Sequence, residues 1–301
     1  MIPRSDRFRI VPLGRGVWAA LGNRELGVPS NAGIIDLETS VLVIDTLPTL
    51  QAAKELRTAA RVLTGRDPGA VVNTHWHFDH WLGNLLFADC EIFGTKSTRD
   101  RILEVGPPLL SRLQGEEAQR AQEELDDRWE REERPLYKEE LTMERQARLD
   151  LYEMSRTLQV VAPNQNFATR YRPPARRSVW FVEVSGHTES DTMVFLPDCE
   201  VLFAGDIVTH GVHPNLDSGR PEAWEKALRG IEKIAPKSVV PGHGAPGDLR
   251  TVSEMHEYLG ELTRAARAIQ PERIPDRFKD WLSPANFEVN VRRVREAPPS
   301  L

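Results

Sequence analysis

The run AVVNTHWHFDH, residues 70–80, joins a short apolar stretch directly to three histidines and an aspartate. Its first part is too short for a helix and rich in valine, and it reads as a buried strand. The second part cannot extend that strand into a core. Buried groups of this polarity need hydrogen bonds, water or a cation. His75, His77, Asp79 and His80 stand in the pattern H-x-H-x-D-H. On an extended segment, side chains two apart project to one side. His75 and His77 are therefore expected to grip one ion, with Asp79 and His80 turning toward a second beyond the strand end. Neutral imidazole and carboxylate suit Zn²⁺, and also Fe or Mn. A strand ending on such a cluster points to a layered α/β sheet, where strand ends gather the loops that do chemistry.

The same rhythm runs through the rest of the chain. Residues 31–47 give two apolar runs split by DLETS, a strand pair ending at Asp45. Residues 49–63 carry Leu50, Ala53, Leu56, Ala60 and Leu63 at helical spacing, and TGRDPG stops them. Further strands are expected at 178–184, 192–197, 200–208 and 238–244, with helices at 221–234 and 248–269. Three more ligand candidates are expected at strand ends: His187 in SGHTESD, Asp206 in FAGD and His243 in PGHG. The glycines beside His243 let the backbone turn tightly at a ligand. Asp45 alone reads equally as a cap on a turn.

Between these parts, residues 107–160 carry 14 acidic and 9 basic side chains, with sparse apolar positions such as Leu125, Trp129, Leu136 and Leu141. Such a pattern predicts one or two long amphipathic helices, inserted at about 106–160 into a single domain spanning 1–301. The insertion reads as a solvated hairpin or as a lid over the site, and it offers a face for a homodimer.

Charge and composition narrow the partners. The chain has 301 residues and a formal charge of −6, with no basic stripe to draw in nucleic acid. No run approaches the ~20 apolar residues of a membrane helix. The first residues hold no apolar stretch like that of a secretion signal, so a cytoplasmic location is expected. The two cysteines, Cys90 and Cys199, form no C-x-x-C pair.

Taken in order, IDT with Asp45, HWHFDH, SGHTESD, FAGD and PGHG resemble the motifs of the metallo-β-lactamase superfamily. The resemblance implies an αββα four-layer sandwich with a dinuclear zinc site at one edge. It implies that His75, His77 and His187 bind the first metal. Asp79, His80 and His243 would bind the second, with Asp206 bridging them and Asp45 orienting ligands from behind. It also implies hydrolysis by a hydroxide held between two zinc ions, with Asp79 as the candidate catalytic acid or base. His77 departs from the glutamate of the flavo-diiron branch, and Asp206 from the cysteine of some lactamases. Both choices favour thioesterase-, lactonase- or phosphodiesterase-like branches. The expected substrate is a small ester, thioester, lactone or amide. Alternatives are a phosphodiesterase or nuclease, a mononuclear iron dioxygenase, or a metal-bearing dimerising scaffold. Around the metals, Trp76, Phe78 and Trp81 either wall the pocket or pack beneath the loop. His210 and His213 sit on a loop expected to border the pocket.

Overall fold

The computed structural model describes residues 2–113, 115–268 and 273–296. The first half of the chain builds one sheet. It runs β1 (Phe8–Gly14), β2 (Val17–Gly22), a 3-10 turn at Arg24–Leu26, β3 (Ala32–Asp36) and β4 (Val41–Ile44). Then come α1 (Leu50–Thr64), β5 (Ala70–Val72), the single turn α2 (Phe78–Trp81) and β6 (Glu91–Thr95). Three helices follow, α3 (Lys96–Arg112), α4 (Gly115–Arg131) and α5 (Pro135–Met154), before β7 (Gln165–Phe167) closes the sheet. The second sheet uses β8 (Arg170–Tyr171), β9 (Trp180–Val184), β10 (Asp191–Leu196), β11 (Val201–Thr209) and β12 (Ser238–His243). Helix α6 (Pro221–Ile234) connects β11 to β12, and α7 (Leu249–Arg267) and α8 (Pro284–Glu296) end the described chain. The helix expected at 248–269 is thus α7, residue 269 lying outside the described residues.

Strand order is β1-β2-β3-β4-β5-β6-β7 in the first sheet and β12-β11-β10-β9-β8 in the second. The first is antiparallel from β1 to β4 and parallel from β4 to β7. Side-chain alternation explains why the sheets stack. Ile35, Leu42, Ile44 and Val72 face inward and meet Phe181, Val194, Leu196 and Phe203 of the second sheet. Their neighbours Ile34, Val43 and Val71 face outward onto Ala53, Leu56 and Ala60 of α1. On the far side, Leu202, Ala204 and Val239 meet Trp224, Leu228 and Ile231 of α6 and Val252 and Leu259 of α7. The result is the four layers, α, β, β, α, that the motifs implied.

The charged stretch folds as the later part of α3 and all of α4 and α5. The last two pair through Arg145 Nε, which donates to Asp126 at 2.5 Å, and Trp129 Nε1, which donates to Thr142 at 2.9 Å. Leu151 and Leu158 tie the hairpin to the core beside the fully buried Trp81. No described helix is long and apolar enough to cross a membrane.

Candidate metal centre

The two sheets supply different ligands to one edge. His75, His77, Asp79 and His80 follow β5, whereas His187 follows β9, Asp206 lies in β11 and His243 is the last residue of β12. Asp206 departs from its expected place at a strand end, since it is the sixth of nine residues in β11. A break in register on either side of Gly205, whose φ is 52°, re-aims the carboxylate toward the site. The histidine run also departs from an extended strand. The strand stops at Val72, and His77 caps the single turn α2. The His75 and His77 rings still meet, with centroids 4.8 Å apart.

Ligand atoms form two groups, His75, His77, His187 and Asp206 in one and Asp79, His80 and His243 in the other. Asp206 stands between them. Its Oδ2 is 3.3 Å from His187 Nε2 and 3.2 Å from His243 Nε2, and its Oδ1 is 3.3 Å from His80 Nε2. Asp79 Oδ2 is 3.3 Å from His243 Nε2 and 3.5 Å from His80 Nε2. His187 Nε2 and His77 Nδ1 face each other at 2.7 Å. A dication placed among nitrogens and oxygens this close turns their crowding into coordination.

Hydrogen bonds behind the ligands fix which ring nitrogen is free. His243 Nδ1 lies 3.0 Å from the Pro29 carbonyl, which can only accept, so Nε2 carries the lone pair of the neutral ring. His80 Nδ1 lies 2.8 Å from Asp45 Oδ2. Thr74 Oγ1 donates to that same oxygen at 2.7 Å, and His75 Nδ1 lies 3.0 Å from Thr74 Oγ1. With its proton given to Asp45, Thr74 accepts from His75, which frees His75 Nε2. One carboxylate therefore orients a histidine in each group. Asp45 holds this post from a left-handed backbone, φ 56°, immediately after β4.

Buried polar atoms test whether a metal fits. His75 Nε2, His80 Nε2, His187 Nδ1 and Asp206 Oδ1 are buried without a hydrogen-bond partner. Three of these four point among the ligand atoms, and unsatisfied buried groups of this kind call for a ligand. Burial pushes His75 and His187 well below the usual imidazole range and lowers His77. Burial opposes protonation at His80 and His243 as well, but Asp79 and Asp206 outweigh it and raise both. Burial would raise Asp206, yet His243, His80 and His187 hold it well below the carboxylate range. His75, His77 and His187 thus favour the neutral form a divalent metal requires, and a metal held beside ionised Asp206 would displace the protons of His80 and His243.

Several supports were not singled out from sequence. Ser30 Oγ donates to the Asp79 carbonyl at 2.7 Å, and Asn31 Nδ2 donates to the Pro241 and Gly244 carbonyls at 2.9 and 2.8 Å. Asp191, within the quoted SGHTESD, accepts from the Thr188 amide and hydroxyl and pins the loop that carries His187. Gly242 is packed so closely that a Cβ there would lie 1.8 Å from Asp206 Oδ1.

A cavity of 480 Å³ opens on the ligands. Phe78 and His213 line it, and α5 adds Glu140, Met143, Glu144 and Ala147. The charged hairpin thus roofs the site. A larger cleft of 630 Å³, between α4, α5 and α8, holds none of the ligand residues. Trp76 and His210 do not line the active cavity. Trp76 donates to Glu189, stacks under Arg101 and braces His77 with ring centroids 4.4 Å apart. Its polar and cationic neighbours hold it beside the loop. His210 Nδ1 is tied to the Ala245 carbonyl at 2.8 Å, which turns the ring away. Trp81 is packed beneath, its Nε1 donating to the Trp76 carbonyl.

The family model for the metallo-beta-lactamase superfamily matches residues 26–149. Among solved structures, a metallo-beta-lactamase from Pontibacter korlensis is 19% identical, with a TM-score of 0.60, covering 84% of this chain and 99% of that one. One from Hirschia baltica is 16% identical, with a TM-score of 0.60, covering 84% and 98%. The DIM-1 metallo-beta-lactamase is 15% identical, with a TM-score of 0.60, covering 85% and 98%. At these identities the likeness is one of fold. No curated protein matches the chain by sequence. The chain thus shares the fold of these metallo-beta-lactamases, and residues 26–149 are similar to the superfamily's sequence model.

Proposed function

We propose that the protein is a hydrolase using two zinc ions, cleaving a small ester, thioester, lactone or amide. The observation that carries this reading is Asp206, a buried carboxylate reaching His187 of one donor group and His80 and His243 of the other, the last two with Nδ1 already committed to Asp45 and Pro29. His75, His77 and His187 would hold one ion and Asp79, His80 and His243 the other, with Asp206 shared. When bound, such a pair supplies a hydroxide at neutral pH and a Lewis acid for the carbonyl oxygen.

The chain's own residues do the rest. Asp45 and Pro29 engage Nδ1 of His80 and His243, so that Nε2 is the nitrogen each ring offers inward to a metal. Asp79, only 8% exposed at the cavity floor, is placed to carry a proton to the leaving group. Phe78 and Met143 give the cavity apolar surface, while Glu140 and Glu144 disfavour a polyanion such as a nucleic acid. Both cysteines are free, in keeping with a reducing cytoplasm.

Metal content of the purified protein is measured beside turnover of thioester, lactone, β-lactam and bis-p-nitrophenyl phosphate substrates. Two zincs per chain with a favoured carbonyl substrate, lost in Asp79→Ala, is the expected result. One iron with no hydrolysis overturns the reading and moves it to oxygen chemistry. Preference for the phosphodiester overturns the substrate class alone.

A further inference from the structure

Arg24 is the cation of the active cavity, and the metal-centre chemistry leaves it without a task. It opens the 3-10 turn between β2 and β3, and it lines the same cavity as His77, Asp79, His187, Asp206 and His243. Its Nη2 donates to Ser283 Oγ at 3.0 Å, a neutral partner from the segment before α8. Its Nε is buried without a hydrogen-bond partner. Burial draws its pKa down, and Glu140, Asp79 and Glu139 oppose that through space. None of the three forms an ion pair with it among the described residues. A guanidinium remains charged in a protein at neutral pH, so this charge and its free donor require compensation.

The acids nearby are poorly suited to supply it. Asp79 belongs to the ligand set and is engaged once a metal is held. Burial raises the Glu140 carboxyl above its usual range, Arg24 opposes this, and Glu144 adds to it. Position is fixed as well. Asn23 caps the turn through Glu25 N, and Gly27 at its other end lies against Ala147 of α5. The guanidinium is thereby held between the roof helix and the ligand cluster.

We propose that Arg24 binds a carboxylate of the substrate remote from the bond being cut, so that the enzyme selects acyl compounds bearing a free acid. This deepens, and rests on, the hydrolase reading above. Arginine suits the role because its planar donors match a carboxylate in a two-point contact. One group placed this way discriminates through the loss of a charge-assisted hydrogen bond, roughly tenfold to a hundredfold.

The test compares the N-acetylcysteamine thioester of succinate with its methyl ester, on zinc-loaded wild type, R24Q, R24K and S283A. Wild type is expected to favour the acid by at least about tenfold in kcat/KM. R24Q is expected to raise KM for the acid and erase that preference, and R24K to restore part of it. S283A, which removes the strut but keeps the charge, is expected to keep the preference. Equal losses on both substrates in R24Q, or no preference in wild type, overturn the proposal. So does S283A behaving like R24Q, because Arg24 is then only a tie between segments. If wild type cleaves neither thioester, hydrolysis of this class falls, and calorimetric binding of glutarate decides for Arg24 by itself. Binding at least about tenfold weaker in R24Q supports the site, and equal binding overturns it.

Discussion

Replacing Asp45 with asparagine is expected to weaken metal binding at both donor groups at once, although Asp45 belongs to neither. The carboxylate accepts from the Thr74 amide at 2.8 Å through Oδ1, and from Thr74 Oγ1 and His80 Nδ1 at 2.7 and 2.8 Å through Oδ2. An asparagine cannot accept at both positions. With its NH₂ at the Oδ2 position it donates to His80 Nδ1, forcing the proton to Nε2, where a ligand lone pair belongs. Thr74 then accepts from the amide and turns its own proton toward His75 Nδ1, with the same effect in the other group. With the NH₂ at the Oδ1 position, it opposes the Thr74 N–H. Loss of such an orienting partner typically weakens metal affinity 10–100-fold, about 1.4–2.8 kcal/mol per ion. Burial raises the Asp45 carboxyl in the metal-free protein, despite His80 and Thr74, so a neutral amide is tolerable there. Metal-free D45N should melt within about 4 °C of wild type. Zinc competition with a chromophoric chelator measures the affinities directly. Unchanged affinity at both sites, in a variant that folds, refutes the chain from Asp45 through Thr74 to His75.

Other outcomes follow from the same geometry. Gly242→Ala should abolish zinc binding at the shared position, because the added methyl meets Asp206 Oδ1; full occupancy by elemental analysis would contradict this. Burial pushes Asp191 up to about 8, although the Thr188 bonds oppose it. The folded chain then keeps a proton that the unfolded chain releases near its ordinary value. Stability should fall as pH rises from about 4 to about 8 and level off above, and Asp191→Asn should flatten that part of the urea-midpoint profile. Chelation should lower the melting temperature, and zinc at a hundred times Kd should restore about 2.7 kcal/mol per site. A melt insensitive to both would argue that the buried orphan nitrogens serve no cation.

The convergence of the His and Asp side chains and the strands that carry them were legible because ligand chemistry is local. His75, His77, Asp79 and His80 lie within six residues, and GHG and AGD punctuate apolar runs. The bulge at Gly205 was not legible, since the strand expected at 200–208 runs through FAGD with no sign of a break in register. Strand β1 escaped notice because polar and half-exposed residues interrupt its apolar positions, and β2 because VWAALG is a short apolar run with two alanines and no alternation. Helix α3 carries Pro107 and Pro108 within it, which disguised its extent. Arg24 was invisible for a different reason. Its cavity joins residues 24, 140 and 283, and no local pattern encodes that meeting. Trp76 drew attention by its place among the ligands, yet Arg101 and Glu189 decide where its ring lies.

The roof formed by α5 separates two kinds of heritable change. The candidate metal ligands hang from both sheets and are locked by Pro29, Asn31, Asp45 and Thr74. The residues above them, Glu140, Met143, Glu144 and Ala147, come from a hairpin whose removal from the plan would leave every ligand in place. Diversifying those four positions explores new appetites while the reactive centre stays constant. In a directed-evolution campaign, the hairpin is the part to randomise and the sheet edge the part to leave alone.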